Sequence, residues 1–97
     1  MDFSELELIQ CGKKLASHLG LPKPSDKELS DKICEILIER ENYSYAKEGL
    51  LTQEETASLL LQHFQTLICR VAGISEAELT IDWSGLVPEV KNALFKH

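Results

Sequence analysis

Few residues in this chain of 97 can do chemistry, and their spacing narrows which. The three histidines, His18, His63 and His97, are isolated, and none stands four residues from another His, a Cys or a carboxylate. The three cysteines, Cys11, Cys34 and Cys69, show no C-x-x-C spacing, so zinc and thioredoxin-type chemistry lack support. Their odd number, each inside a helical pattern beside apolar residues, predicts reduced and mostly buried thiols. Asp26 with Glu28, and Glu76 with Glu78, have the composition of an acid–base couple. Both pairs fall in short, polar turns, where nothing would raise a carboxyl pKa. There is no nucleophile elbow, H-E-x-x-H, phosphate loop or calcium loop. The chain reads as a non-enzyme, with no cofactor and no metal.

What remains is charge and one indole. The net charge is −6. Residues 1–47 hold nine acids and seven bases, residues 48–89 hold seven acids against Arg70 alone, and residues 90–97 add Lys91 and Lys96. The imbalance therefore sits in 48–89, which nets −6. Its tightest group lies in GISEAELTIDWSG, residues 73–85: Glu76, Glu78 and Asp82, with the only tryptophan, Trp83, beside them. Glu48, Glu54 and Glu55 are the expected flankers. An acidic balance repels nucleic acid and anionic membrane and favours a basic protein partner. A field confined to one face raises the association rate of such a partner by roughly 10–10³-fold. Trp83 has two readings, a plug over the bundle end or an aromatic anchor in an interface.

Helices must position these groups. Ser4-x-x-Glu7, Ser25-x-x-Glu28 and Thr52-x-x-Glu55 are capping-box starts. The first predicts a helix to about His18, with Leu6, Ile9, Ala16 and Leu19 near helical spacing, Leu8, Cys11 and Leu15 broadening the stripe, and Gly20 as the stop. Gly12 inside it would cost about 1 kcal/mol against Ala unless another element approaches closely. The second helix buries Leu29, Ile33, Ile36 and Leu37 and ends near Arg40 or Glu41, with Glu28 pairing Lys32. Residues 42–51 read as a loop in which Tyr43 and Tyr45 cover the core or meet a partner. The third helix repeats Ala57, Leu60, Leu61, Phe64, Leu67, Ile68 and Val71 at helical spacing and stops at Gly73. Ser75-x-x-Glu78 again has a capping-box pattern, but the chain soon turns extended at Thr80-Ile81. A fourth helix opens with Pro88 at its first position and buries Val87, Val90, Ala93 and Leu94. No strand pattern competes. The expectation is all-α: a small antiparallel four-helix bundle, one domain over 1–97, monomeric or weakly dimeric. Glu54 and Glu55 then stand about 25–30 Å from the end of the third helix, at about 1.5 Å per residue, so a single acidic patch is not guaranteed. No apolar run reaches the roughly 18–20 residues of a membrane span, and Met1-Asp2-Phe3-Ser4-Glu5 has no basic leader, so the expected location is cytoplasmic.

Two stretches carry a resemblance. ELSDKIC (28–34) and LTIDWSGLVPEVKNAL (79–94) resemble the matching parts of the colicin D-type immunity proteins. The shared features are the Ser-acid-base-Ile-Cys run and the Ile-Asp, Gly-Leu, Glu-Val, Leu series leading into the last helix, about a quarter of the chain. The resemblance implies a cytosolic four-helix bundle that binds a basic tRNA anticodon-loop nuclease domain. It also implies that carboxylates from the connection before the last helix stand where tRNA phosphates would lie. Asp82 is the best-matched position; before Ile81 the chain departs from the family in length, so Glu76 and Glu78 do not align singly, and LGLPKPS has no counterpart. The expected function is therefore that of an immunity protein, an inhibitor occluding a nuclease toxin. The alternatives are an adaptor using an apolar face of the third or fourth helix, and a small enzyme or carrier with a carboxylate of raised pKa in a pocket.

Overall fold

The computed structural model describes residues 5–45, 52–78 and 84–95, with the backbone alone at 42–45 and 78. Among the described residues four α-helices make the fold: α1 (Glu5–Leu19), α2 (Asp26–Tyr45), α3 (Gln53–Ala72) and α4 (Val87–Leu94). Single turns of 3-10 helix at Glu76–Glu78 and Ser84–Leu86 bracket the connection between α3 and α4. The chain is an all-α antiparallel four-helix bundle. Arg40 Nε donates to Thr56 Oγ1 at 3.2 Å near one end of the α2–α3 pair. At the other end the charge of Arg70 acts on Glu28. Lys14 Nζ reaches Glu89 of α4 at 2.8 Å, and Lys91 of α4 reaches Glu54 in the first turn of α3 at 3.6 Å.

The predicted caps explain where helices start. Ser25 and Glu28 exchange backbone-to-side-chain hydrogen bonds of 3.1 and 3.2 Å, and Thr52 and Glu55 do so at 2.9 and 3.0 Å. Each exchange satisfies two of the amides that a helix start leaves without partners. Gly20 (φ +70°) ends α1, with the Leu21 N–H on the Ala16 carbonyl at 3.0 Å. Gly73 (φ +72°) ends α3, with the Ile74 N–H on the Cys69 carbonyl at 3.0 Å. Both are the left-handed stops that glycine supplies.

Helix α3 is central, packing on α1, α2 and α4. Phe64, Leu60, Leu61 and Ile68 are fully buried and meet Leu8, Leu15, Leu29, Ile33 and Val90. Gly12 is where α1 lets this core in: a Cβ there would stand 2.6 Å from Leu29 Cδ2 and 3.4 Å from Phe64 Cδ2. Its helix-propensity cost is thus offset by packing. Gly12→Val should lower unfolding free energy by about 1–3 kcal/mol through overpacking, read as a shift in urea midpoint at constant m-value. A neutral or stabilising result would mean that Leu29 has room to move aside.

Several expectations need correction. Helix α2 runs to Tyr45, past Arg40 and Glu41, because no glycine or proline occurs between Pro24 and Gly49 to stop it. Residues 42–45 are therefore helical; the rest of the expected loop and the tyrosine side chains lie outside the described residues. Leu6 is 68% exposed, since its turn of α1 points away from the face shared by Leu8, Leu15 and Ala16. Val71 is on the correct face but in the last turn of α3, and is 41% exposed. Cys34 is exposed, whereas Cys11 and Cys69 are buried. Lys32 pairs with Glu35 at 3.0 Å rather than with Glu28, whose carboxylate is engaged in the cap. Pro88 lies in the first turn of α4, but the helix already begins at Val87.

Candidate partner-binding surface

The expected surface starts where α3 stops. After the left-handed turn at Gly73, the chain folds back so that the turn Glu76–Glu78 packs on α3. Ser75 Oγ accepts the Ala77 N–H at 3.3 Å, the local bond that a Ser-x-x-Glu start favours, but it opens only a single 3-10 turn. Thr66 Oγ1 lies 2.9 Å from Glu76 Oε1 and 3.1 Å from the Gln62 carbonyl, so its single proton is shared. Glu76 is exposed yet held by the helix beneath it. Cys69, in the last turns of α3, is buried, and its thiol pKa is pushed up by burial first and by the charge of Glu76 second. The side chain of Glu78, and all of Asp82, Trp83 and Glu48, lie outside the described residues.

Glu54 and Glu55 stand elsewhere. Thr66 is twelve residues from Glu54 on the same helix, about 18 Å along the axis at about 1.5 Å per residue. Glu76 and Glu54 therefore do not share one patch. Their duties also differ. Glu55 is a cap: the backbone amide of Thr52, and then its hydroxyl, hold the carboxyl below its ordinary 4.5. Glu54 faces Lys91. Beyond these, Lys13–Asp26, Lys14–Glu89, Lys27–Asp31 and Lys32–Glu35 pair acids with bases at 2.6 to 3.5 Å. Much of the negative surplus on α1, α2 and α4 is thus locally neutralised, and such exposed pairs add little stability.

Among the described residues no group of His, Cys, Asp and Glu is arranged to hold a metal. The carboxyl shifts that are resolved, at Glu28 and Glu55, go down rather than up. Cys11 is raised by burial, then by Glu89, which makes it a poor nucleophile. Among the described residues no helix is long and apolar enough to cross a membrane.

The two caps predict an acid limb of stability. A carboxyl with a lowered folded pKa contributes stability that is complete above its unfolded value. That contribution is lost as pH falls through the folded value. For Glu28 and Glu55 the window therefore opens near 4.5 and extends below it. Thermal melts from pH 6 down to about pH 3 should show Tm falling below that point, and the Glu28→Gln, Glu55→Gln double variant should flatten the fall. An unchanged acid limb in the double variant would assign it to other carboxylates.

One feature escaped the sequence. A groove of about 540 Å³ lies between the first turn of α3 and α4, lined by Glu54, Val87, Glu89, Lys91, Asn92 and Phe95 among others. Phe95 also carries the guanidinium of Arg40 at 4.9 Å from its ring centroid. The sequence signal was faint: an acid at the second position of α3, and Glu89 and Asn92 one turn apart on α4. Compared with known proteins, the chain matches no family model, and no curated protein or solved structure is significantly similar to it.

Proposed function

We propose that the protein is an immunity-type inhibitor: it binds the basic groove of a nuclease toxin of the tRNA-cleaving kind and occludes it with carboxylates. The observation that carries this reading is Glu76, an exposed carboxylate anchored by Thr66 at the entry to the α3–α4 connection. Residues 73–86 of that connection hold Glu76, Glu78 and Asp82 and no base, with Trp83 beside them. A carboxylate fixed before the partner arrives loses little freedom on binding, so more of its interaction appears as affinity. A nuclease must keep a positive groove for phosphate, and a rigid acidic surface complements it in rate and register. The partner is then a basic protein, met in the cytoplasm, with neither nucleic acid nor membrane bound directly, and Glu54 stands apart from the surface that Glu76 anchors.

The adaptor reading needs a free apolar face on α3 or α4. The inner faces of both helices supply Leu60, Leu61, Phe64, Val90 and Leu94 to the core. The test is a cleavage assay with purified anticodon-loop nuclease domains of the colicin D type and their substrate tRNA. Cleavage should fall to background at stoichiometric inhibitor and recover with added salt during mixing. Undiminished cleavage in excess inhibitor, with a salt-resistant assembly recovered from the native lysate, would replace this reading with the adaptor.

A further inference from the structure

Helix α4 is held to the bundle differently from α2 and α3. It has eight residues, fewer than the roughly 12–15 that make an isolated helix even marginal in water. Helices α2 and α3 open on complete capping boxes, whereas Leu86 at the start of α4 offers no side-chain hydrogen bond. No left-handed glycine closes α4; Phe95 ends it with its N–H on the Lys91 carbonyl at 3.1 Å. It gives the core Val90, Ala93 and Leu94, against eight buried residues from α3. Its ion pairs, Lys14–Glu89 and Lys91–Glu54, join side chains that are 40–75% exposed, and such pairs hold little. Arg40 over the Phe95 ring adds one cation–π contact. Helix α4 is thus helical only while docked, so undocking and melting are one event. We infer that α4 is a flap: it leaves α1 and α3 as a unit while the rest of the bundle stays folded, and in opening it uncovers the thiol of Cys11.

The geometry singles out that thiol. Cys11 is 6% exposed, and the small cleft beside it, about 270 Å³, is lined by Glu7, Cys11, Glu89 and Asn92. Glu7 lies one turn earlier on the same helix, so the cover supplied by another element is Glu89 and Asn92 of α4. Closed, the thiol is inert: burial raises its pKa first, the charge of Glu89 second, with Lys14 opposing and Glu7 adding to the rise. Opening removes the burial and Glu89 together and leaves Lys14 on α1, three residues away, which favours the thiolate. The other thiols lack this cover. Cys34 is exposed, and Cys69 is buried near the opposite end of α3 from the Glu54–Lys91 contact. Opening also unseats Leu86, the buried residue that ends the connection 73–86. On the inhibitor reading the flap therefore governs one end of the binding surface. The flap itself is independent of that reading.

Iodoacetamide alkylation of the whole protein, followed at each cysteine by mass spectrometry, measures the opening, and amide exchange in the core of α3 measures global unfolding. In native buffer Cys34 should react first, and Cys11 should react at least about tenfold faster than Cys69. Two variants separate the routes to Cys11. Val90→Ala removes apolar contact that docks α4 and should speed alkylation of Cys11 about tenfold. Ser25→Ala removes the hydroxyl that caps α2; it should speed amide exchange in the α3 core about fivefold and leave the Cys11 rate unchanged. A Cys11 rate that rises in step with the α3 core in Ser25→Ala would mean that only global unfolding uncovers the thiol, and overturns the flap. A Cys11 rate untouched by Val90→Ala would mean that the reagent reaches the thiol in the closed bundle, and overturns it as well. Equal rates at Cys11 and Cys69 in native buffer have the same consequence.

Discussion

Replacing Phe64 with Ala lowers the unfolding free energy by about 3–5 kcal/mol. Phe64 is fully buried in the middle of α3, the helix that touches all three others, and it lies beside Gly12 where α1 comes closest. Truncation removes the transfer free energy of the ring and leaves a cavity whose walls are held by fully buried Leu8, Leu29 and Ile33. Glycine at position 12 cannot fill it, since it has no side chain to swing inward. Domains of this size are stable by only about 5–15 kcal/mol, so the variant should sit close to its unfolding limit at 37 °C. Urea unfolding followed by circular dichroism measures the loss, with Phe64→Leu as the milder control. A loss below about 1 kcal/mol would mean that the walls collapse freely and that the core is not centred on this ring.

That core was legible in the sequence because it is written in local signals. Thr52-x-x-Glu55 and Gly73 bound α3, and the spacing of Ala57, Leu60, Leu61, Phe64, Leu67 and Ile68 fixes its inner face. Where neighbours decide, the local signal fails. Val71 has the right phase but lies in the last turn of its helix and is exposed, and Cys34 lies in a helical pattern beside apolar residues but is exposed, unlike Cys11 and Cys69. The end of α2 failed for a different reason. Polar residues such as Glu41 do not end a helix, whereas glycine or proline does, and neither occurs between Pro24 and Gly49.

The surface was less legible than the core. Summing charges along the chain predicts a surplus in 48–89, but the sum ignores partners distant in sequence. Glu89 meets Lys14 across 75 positions, and Glu54 meets Lys91 from another helix. Glu55 carries full charge in the sum and is engaged at home as a cap. A formal charge count thus overstates the field on α3 and α4. Of the expected site residues, Glu76 bonds to Thr66 near the end of α3, Glu54 lines a groove by the first turn of that helix, and Glu55 is engaged in its cap.

The sharpest test of the inhibitor reading is therefore made in the connection. Asp82→Lys should weaken binding of the nuclease domain by more than about 2 kcal/mol, roughly thirtyfold in Kd, if Asp82 pairs with a base that the complex buries. Two effects are mixed in that number, and salt separates them. Reversing a charge anywhere on the surface slows steered association, an effect that fades as the Debye length shrinks from about 10 Å at 0.1 M to about 3 Å at 1 M. Losing a desolvated contact instead speeds dissociation, and screening does not restore it. Stopped-flow association and dissociation rates at both salt concentrations should show the Asp82→Lys loss persisting mainly in the off-rate. Glu55→Gln is the matched control: it removes a carboxylate that the α3 cap uses, so it should lower Tm and change the off-rate little. A loss at Asp82 that vanishes in high salt would reduce this residue to steering. No loss even at low salt would remove Asp82 from the surface and leave Glu76 to carry the reading alone.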